Sequence, residues 1–65
     1  MASQDDNSRE VLFEFKQIGA VIRVAAVDSA TGIEVTVMGP AAASRSDLQR
    51  LALGKLKARL KASGR

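Results

Sequence analysis

The chain has 65 residues, a formal net charge of +3 and a hydrophobic fraction of 46%, which suits one small domain with a single core. It contains neither cysteine nor histidine, which excludes disulfide bonds and metal sites built on thiolate or imidazole ligands. A core this small without such cross-links makes self-association an expected route to stability.

The amino terminus is polar, and residues 1–8 are predicted to form a disordered tail. This segment lacks the basic start and the apolar stretch of a secretory signal. No apolar run anywhere in the chain reaches the roughly 18 residues of a membrane span. We therefore expect a cytoplasmic bacterial protein without a membrane span.

Three segments that alternate apolar and polar residues follow the tail, at residues 9–16, 20–27 and 33–38, and they predict three β-strands. Paired as two hairpins, they give a sheet with one apolar face. That face carries Val11, Phe13, Phe15, Ile22, Val24, Ala26, Ile33, Val35 and Val37.

The first hairpin is predicted to turn at residues 18–19. This turn places Phe15 opposite Ile22 on the apolar face. On the other face it places Glu14 opposite Arg23, as a cross-strand ion pair.

The second hairpin is predicted to turn across residues 29–32, which places Ala26 opposite Val35. Asp28 can accept backbone N–H bonds across this turn, and Gly32 can take the left-handed conformation that ends it. The alternative is a metal-binding or catalytic carboxylate at Asp28, but the turn explains both residues without it.

Residues 39–40, Gly-Pro, are predicted to end the third strand because proline cannot donate a ladder hydrogen bond. The small-residue loop after them redirects the chain onto the sheet, with close approach to a ligand as the alternative. Ser44 then begins a helix, with Asp47 at the spacing of a capping box and Ser46 as a rival cap.

The helix is predicted to run to about Lys61. Its apolar stripe is expected to meet the sheet through Leu48, Leu51, Ala52, Leu56 and Leu60, with Leu53 on a flank. The fold is therefore predicted to be α+β, a three-stranded antiparallel meander with one carboxy-terminal helix packed on one face (βββα). This single domain covers residues 9–62, and residues 63–65 form a frayed carboxy terminus.

The second face of the sheet has many apolar residues for a surface left in water, so a partner or self-association there carries the same weight as simple exposure. Met38 is expected opposite Arg23 on this face. The predicted partner surface consists of Leu12, Val21, Arg23, Ala25, Val27 and Met38.

The positive charge is concentrated in the helix. Residues 1–44 hold three basic and six acidic side chains, a balance of −3, whereas residues 45–65 hold seven basic and one acidic, a balance of +6. A basic ridge of Arg50, Lys57 and Lys61 lies opposite the apolar stripe. The favoured interpretation is an ordinary amphipathic helix whose cations complement its negative end. Weak nucleic-acid contacts through these three side chains are the alternative.

An enzyme requires a nucleophile, a base or a metal in a pocket, and this chain offers no histidine, cysteine or tyrosine. We therefore expect no catalytic, cofactor-binding or metal-binding residues and no cofactor. The sequence predicts a non-catalytic protein-interaction or self-associating module, with weak nucleic-acid binding as the alternative.

From residue 9 to residue 62 the chain resembles a family of short alphaproteobacterial proteins that form a domain of unknown function. The matching stretches are VLFEF at 11–15, DSATGIEV at 28–35, GPAAAS at 39–44 and LQRLA at 48–52. The resemblance implies no activity and no site residues. Some members carry a serine hydroxymethyltransferase label, but this chain is far too short for that fold and its pyridoxal phosphate site.

Overall fold

A computed structural model describes residues 10–63 as a three-stranded antiparallel sheet followed by one helix that packs against it. The elements are β1 (Val11–Ile18), β2 (Val21–Asp28), β3 (Glu34–Pro40) and α1 (Arg45–Ala62), with sheet order β1-β2-β3. The predicted βββα fold is therefore confirmed. The predicted tail at residues 1–8 lies outside the described residues, as do the last two residues of the predicted frayed terminus.

The first hairpin turns at Gly19-Ala20, one residue later than predicted, so the predicted register is wrong by two residues. Phe15 lies opposite Val24 instead of Ile22. Gly19 has a φ of 62°, and a two-residue hairpin loop needs a positive φ at its first central position. Because side chains alternate with a period of two, the shift leaves every residue on its predicted face.

The second hairpin has the predicted register, with Ala26 opposite Val35. Asp28 is fully buried and organises the loop. Its Oδ2 accepts hydrogen bonds from the backbone N–H of Thr31 at 3.1 Å and from the Thr31 hydroxyl at 2.7 Å. Gly32 has a φ of 78°, in the left-handed region. Both residues therefore have the turn role that the sequence predicts for them.

The third strand continues through Pro40, two residues past its predicted end. Gly39 pairs with Ile22, and Pro40 pairs with Val21. Proline is tolerated here because β3 is an edge strand. A Cβ atom at Gly39 would lie 2.7 Å from Cδ2 of Leu48, so glycine allows the start of the helix to pack directly on the strand.

The helix has the predicted cap, since the Ser44 hydroxyl accepts a hydrogen bond from the Asp47 N–H at 3.4 Å. The rival Ser46 instead hydrogen-bonds to the Ser44 hydroxyl at 2.9 Å. The helix ends one residue later than predicted, where the N–H and the hydroxyl of Ser63 donate to the carbonyl of Arg59 at 3.1 and 2.9 Å. These bonds satisfy helix-terminal groups that would otherwise depend on water.

The core lies between α1 and the sheet, where apolar side chains from both elements are excluded from water. Its buried members are Ile22, Val24, Ala26, Val35, Leu48, Ala52, Leu56 and Leu60. The helix packs over β2 and β3. The apolar residues of β1 therefore lie at the margin of the core, and Val11, Phe13 and Phe15 are only partly buried.

Leu51 was predicted to meet the sheet, but it is 62% exposed, so this prediction is wrong. At 100° per residue it lies well off the buried row that contains Ala52. Lys55, one turn further along the same flank, donates from Nζ to the backbone carbonyl of Thr36 at 2.9 Å. Because Thr36 belongs to the edge strand β3, this flank extends past the edge of the sheet, and Leu51 has no strand beneath it.

Candidate interaction surfaces

The sheet face turned away from α1 is covered by no element within residues 10–63, and we call it the open face. It carries Leu12, Glu14, Lys16, Ile18, Val21, Arg23, Ala25, Val27, Glu34, Thr36, Met38 and Pro40. All six residues of the predicted partner surface lie on it: Leu12, Val21, Arg23, Ala25, Val27 and Met38. The sheet thus brings together side chains that are up to 26 positions apart in the chain.

The open face exposes large apolar side chains. Leu12 is 52% exposed and Met38 is 61% exposed. Ile18 is 54% exposed and was not predicted to lie on this face, because the predicted strand ends at residue 16. A turn with Gly19 at its first position rather than its second would have extended the strand to Ile18. Ala25, although on this face, is 2% exposed, because its small side chain lies at the centre of the middle strand.

The charges of the open face are not paired as predicted. Glu14 lies opposite Ala25, and Arg23 lies opposite Lys16, so the predicted pairing of Glu14 with Arg23 is wrong. Met38 does lie opposite Arg23 on the other side, as expected. Like charges directly opposite one another are unfavourable, and no ion pair within residues 10–63 neutralises these two cations. The face therefore presents two adjacent cations beside exposed apolar side chains.

The three predicted nucleic-acid contacts lie on one exposed side of α1, opposite its buried row. Arg50 has a neighbour, since its Nη1 lies 3.6 Å from Oδ1 of Asp47, but both side chains are more than 60% exposed and the pair is weak. Lys57 and Lys61 are one turn apart and make no ion pair within the part of the chain that the structure describes.

Two other cations of the helix are used inside the fold, which the sequence analysis did not predict. The guanidinium of Arg45 lies 5.6 Å from the centre of the Phe15 ring, within the range of a cation–π contact. Lys55 hydrogen-bonds to the backbone of β3. The basic ridge of Arg50, Lys57 and Lys61 therefore carries only part of the positive charge of residues 45–65.

Candidate chemistry among residues 10–63 is limited. These residues contain no group of three or more acidic side chains that could hold a metal ion, and they enclose no cavity. Their loop hydroxyls make hydrogen bonds that hold the fold, such as the one that the Ser29 hydroxyl donates to the carbonyl of Glu10, 19 positions earlier in the chain, at 2.9 Å. Within the same range, no helix has the length and apolar character of a membrane span.

Comparison with known proteins assigns a family. Residues 8–63 match the domain of unknown function DUF6898, so the match spans the whole βββα domain. No curated protein and no solved structure matches the chain. The resemblance to a domain of unknown function is thereby confirmed, while an alphaproteobacterial source stays a prediction. The chain belongs to the DUF6898 family.

Proposed function

We propose that this chain is a non-catalytic, cytoplasmic interaction module that binds a protein partner through the open face. The observation that carries the proposal is the one-sided packing of residues 10–63: helix α1 covers one face of the sheet, and no element of these residues covers the other. Three large apolar side chains on the uncovered face, Leu12, Ile18 and Met38, are each more than half exposed. Exposed apolar patches on a small domain mark interaction sites.

The charges indicate which partner would fit. Lys16 and Arg23 lie side by side next to Met38, without an ion pair within residues 10–63. A carboxylate placed between the two cations would relieve their repulsion. The favoured partner is therefore a protein segment that combines acidic and apolar side chains.

The residue types available support a non-catalytic role. The chain has no histidine or cysteine to serve as a base or an activated nucleophile. The hydroxyl of Thr31 is committed to the buried Asp28, and that of Ser63 to the end of the helix. These groups support the fold rather than a reaction.

Partner capture followed by a binding titration tests the proposal. Proteins that cross-link to the full chain in its native cell are identified, purified and titrated against Leu12→Thr/Met38→Thr. Threonine keeps the β-propensity of both positions while it removes apolar area. We expect at least about a tenfold loss of affinity. The control Leu51→Gln changes an equally exposed apolar residue on the helix and should bind as the original chain does. Equal binding by the double variant would count against the open face.

Weak nucleic-acid binding through the basic ridge is the second candidate. The observation in its favour is that Lys57 and Lys61 project from one exposed side of a segment with a charge balance of +6. If three side chains contact phosphates, raising the salt concentration from 50 to 200 mM should lower the affinity for duplex DNA by about tenfold to a hundredfold. A triple variant with glutamine at Arg50, Lys57 and Lys61 should lose this binding.

The matched control replaces the open-face cations Lys16 and Arg23 with glutamine, which removes a similar charge from the other side of the domain. No binding of labelled duplex or single-stranded DNA below about 100 μM would remove the ridge from consideration. The same conclusion would follow if the triple variant and the control bound equally.

A further inference from the structure

The two edges of the sheet differ in the hydrogen bonding of their outer backbone groups. On β3, the Lys55 ammonium reaches around the edge and donates to the carbonyl of Thr36 at 2.9 Å. On β1, no hydrogen bond among residues 10–63 reaches the outer backbone groups. An uncovered edge strand is a template for pairing with another strand.

The direction of the β1 backbone groups follows from one bond. The N–H of Ser29 donates to the carbonyl of Glu10 at 3.0 Å, so residue 10 turns its carbonyl toward β2. Bonding alternates along an antiparallel strand. The N–H and C=O groups of Phe13 and Phe15 therefore point outward, where a further strand would bond to them.

The same edge carries apolar side chains that the helix covers only in part. Val11, Phe13 and Phe15 face the helix side of the sheet but are only partly buried, because α1 packs over β2 and β3. The guanidinium of Arg45 lies over the Phe15 ring, 5.6 Å from its centre. A strand added beside β1 would place further side chains next to these partly buried residues and would widen the apolar layer at this edge.

We propose that β1 pairs antiparallel with β1 of a second copy of this chain, about a two-fold axis at Phe15. In this register Glu14 of each copy lies opposite Lys16 of the other, and Leu12 lies opposite Ile18. Two ion pairs and two apolar pairs then form on the open face, and the two Phe15 rings meet on the helix side. The proposal goes beyond the proposed function because it joins two copies of this chain through the backbone groups at the edge of β1, although its cross-strand side-chain pairs also involve residues of the open face.

Charge and backbone direction select this register. The two-fold axis must pass through a residue, since only then do outward-pointing groups of one copy meet outward-pointing groups of the other. An axis at Glu14 would set that carboxylate against its own copy, and an axis at Lys16 would do the same with two ammonium groups. An axis at Phe13 would set Ile18 opposite position 8 of the other copy, which lies outside β1. The axis at Phe15 pairs every residue of 12–18.

Reciprocal charge reversal tests this pairing. Glu14→Lys places lysine against lysine twice across the axis, and Lys16→Glu places glutamate against glutamate twice. Each variant alone should raise the dimer Kd, measured by sedimentation equilibrium on the full chain, by about tenfold or more. An equimolar mixture of the two variants should recover the original affinity as a heterodimer, because both cross-axis pairs then have opposite charges.

The controls carry the same charge changes away from the edge of β1. Glu34→Lys lies on β3 and Lys57→Glu on the far side of α1, and neither should alter the dimer Kd. Amide hydrogen exchange gives a second readout, since the Phe13 and Phe15 N–H groups should become protected as protein concentration rises.

Several outcomes would overturn the proposal. The first is a chain that stays monomeric at about 1 mM. The second is a single charge-reversal variant that dimerises as well as the original chain, and the third is an equimolar mixture of the two variants that does not recover the original dimer affinity. A dimer whose Phe13 and Phe15 amides exchange as fast as in the monomer would place the contact elsewhere. Because none of these measurements involves a partner protein, their failure would leave the binding test of the open face unaffected.

Discussion

Leu56 and Leu51 provide a direct test of where the helix meets the sheet. Both are helix leucines that the sequence assigns to the core, but Leu56 is 0% exposed and Leu51 is 62% exposed. Leu56→Ala removes fully buried atoms and should cost about 3 kcal/mol, near the lower end of the range for such changes, since a two-layer domain can partly close the cavity. A domain of this size has only about 3–5 kcal/mol of stability, so most of it would be lost.

Thermal and urea denaturation, followed by far-UV circular dichroism at a fixed protein concentration, measures this difference. A loss of about 3 kcal/mol corresponds to a fall in Tm of about 12–24 °C for a domain this small. The control Leu51→Ala should change the free energy of unfolding by less than about 0.5 kcal/mol. Similar losses in the two variants would refute the burial of Leu56 between the helix and the sheet and the exposure of Leu51, as would a Leu56→Ala protein with the original Tm.

Three further substitutions test the fold by the same denaturation assay. Gly54→Ala should stabilise the chain by about 1 kcal/mol, because this helical glycine has open space around it, and any loss would contradict that packing. Gly39→Ala should destabilise it by about 1–3 kcal/mol, since the new methyl group would press on Leu48, and a neutral result would mean that the helix can move away. Asp28→Ala should cost about 1–3 kcal/mol by leaving the Thr31 N–H and hydroxyl without their acceptor; an unchanged urea midpoint would show that the loop does not depend on these bonds.

The sequence was sufficient to predict the element order and the two faces of the sheet. Alternation with a period of two determines which residues share a face, and the four-residue spacing of Leu48, Ala52, Leu56 and Leu60 determines the buried side of the helix. The turn role of Asp28 and Gly32 was also predictable, because a short polar side chain and a positive φ are local requirements.

The register of the first hairpin was not predictable from the apolar pattern. A shift by two residues keeps every side chain on its face, so hydrophobicity alone does not distinguish the two registers. The left-handed conformation of Gly19 at the first loop position distinguishes them. All six residues predicted for the partner surface therefore lie on the open face, whereas Ile18 and the charge neighbours, such as Lys16 opposite Arg23, were not predicted.

Only the tertiary structure decided which parts of the two layers overlap. The contact of Leu48 with Gly39 sets the start of the helix on β3, so the helix covers β2 and β3, and Leu51 extends past the edge of the sheet. Helix periodicity specifies a direction around an axis, but not where that axis lies over a sheet. Its position depends on packing between residues distant in sequence. For that reason the partial burial of Phe13 and Phe15, and an outer edge of β1 that no part of residues 10–63 covers, appear only in the folded chain.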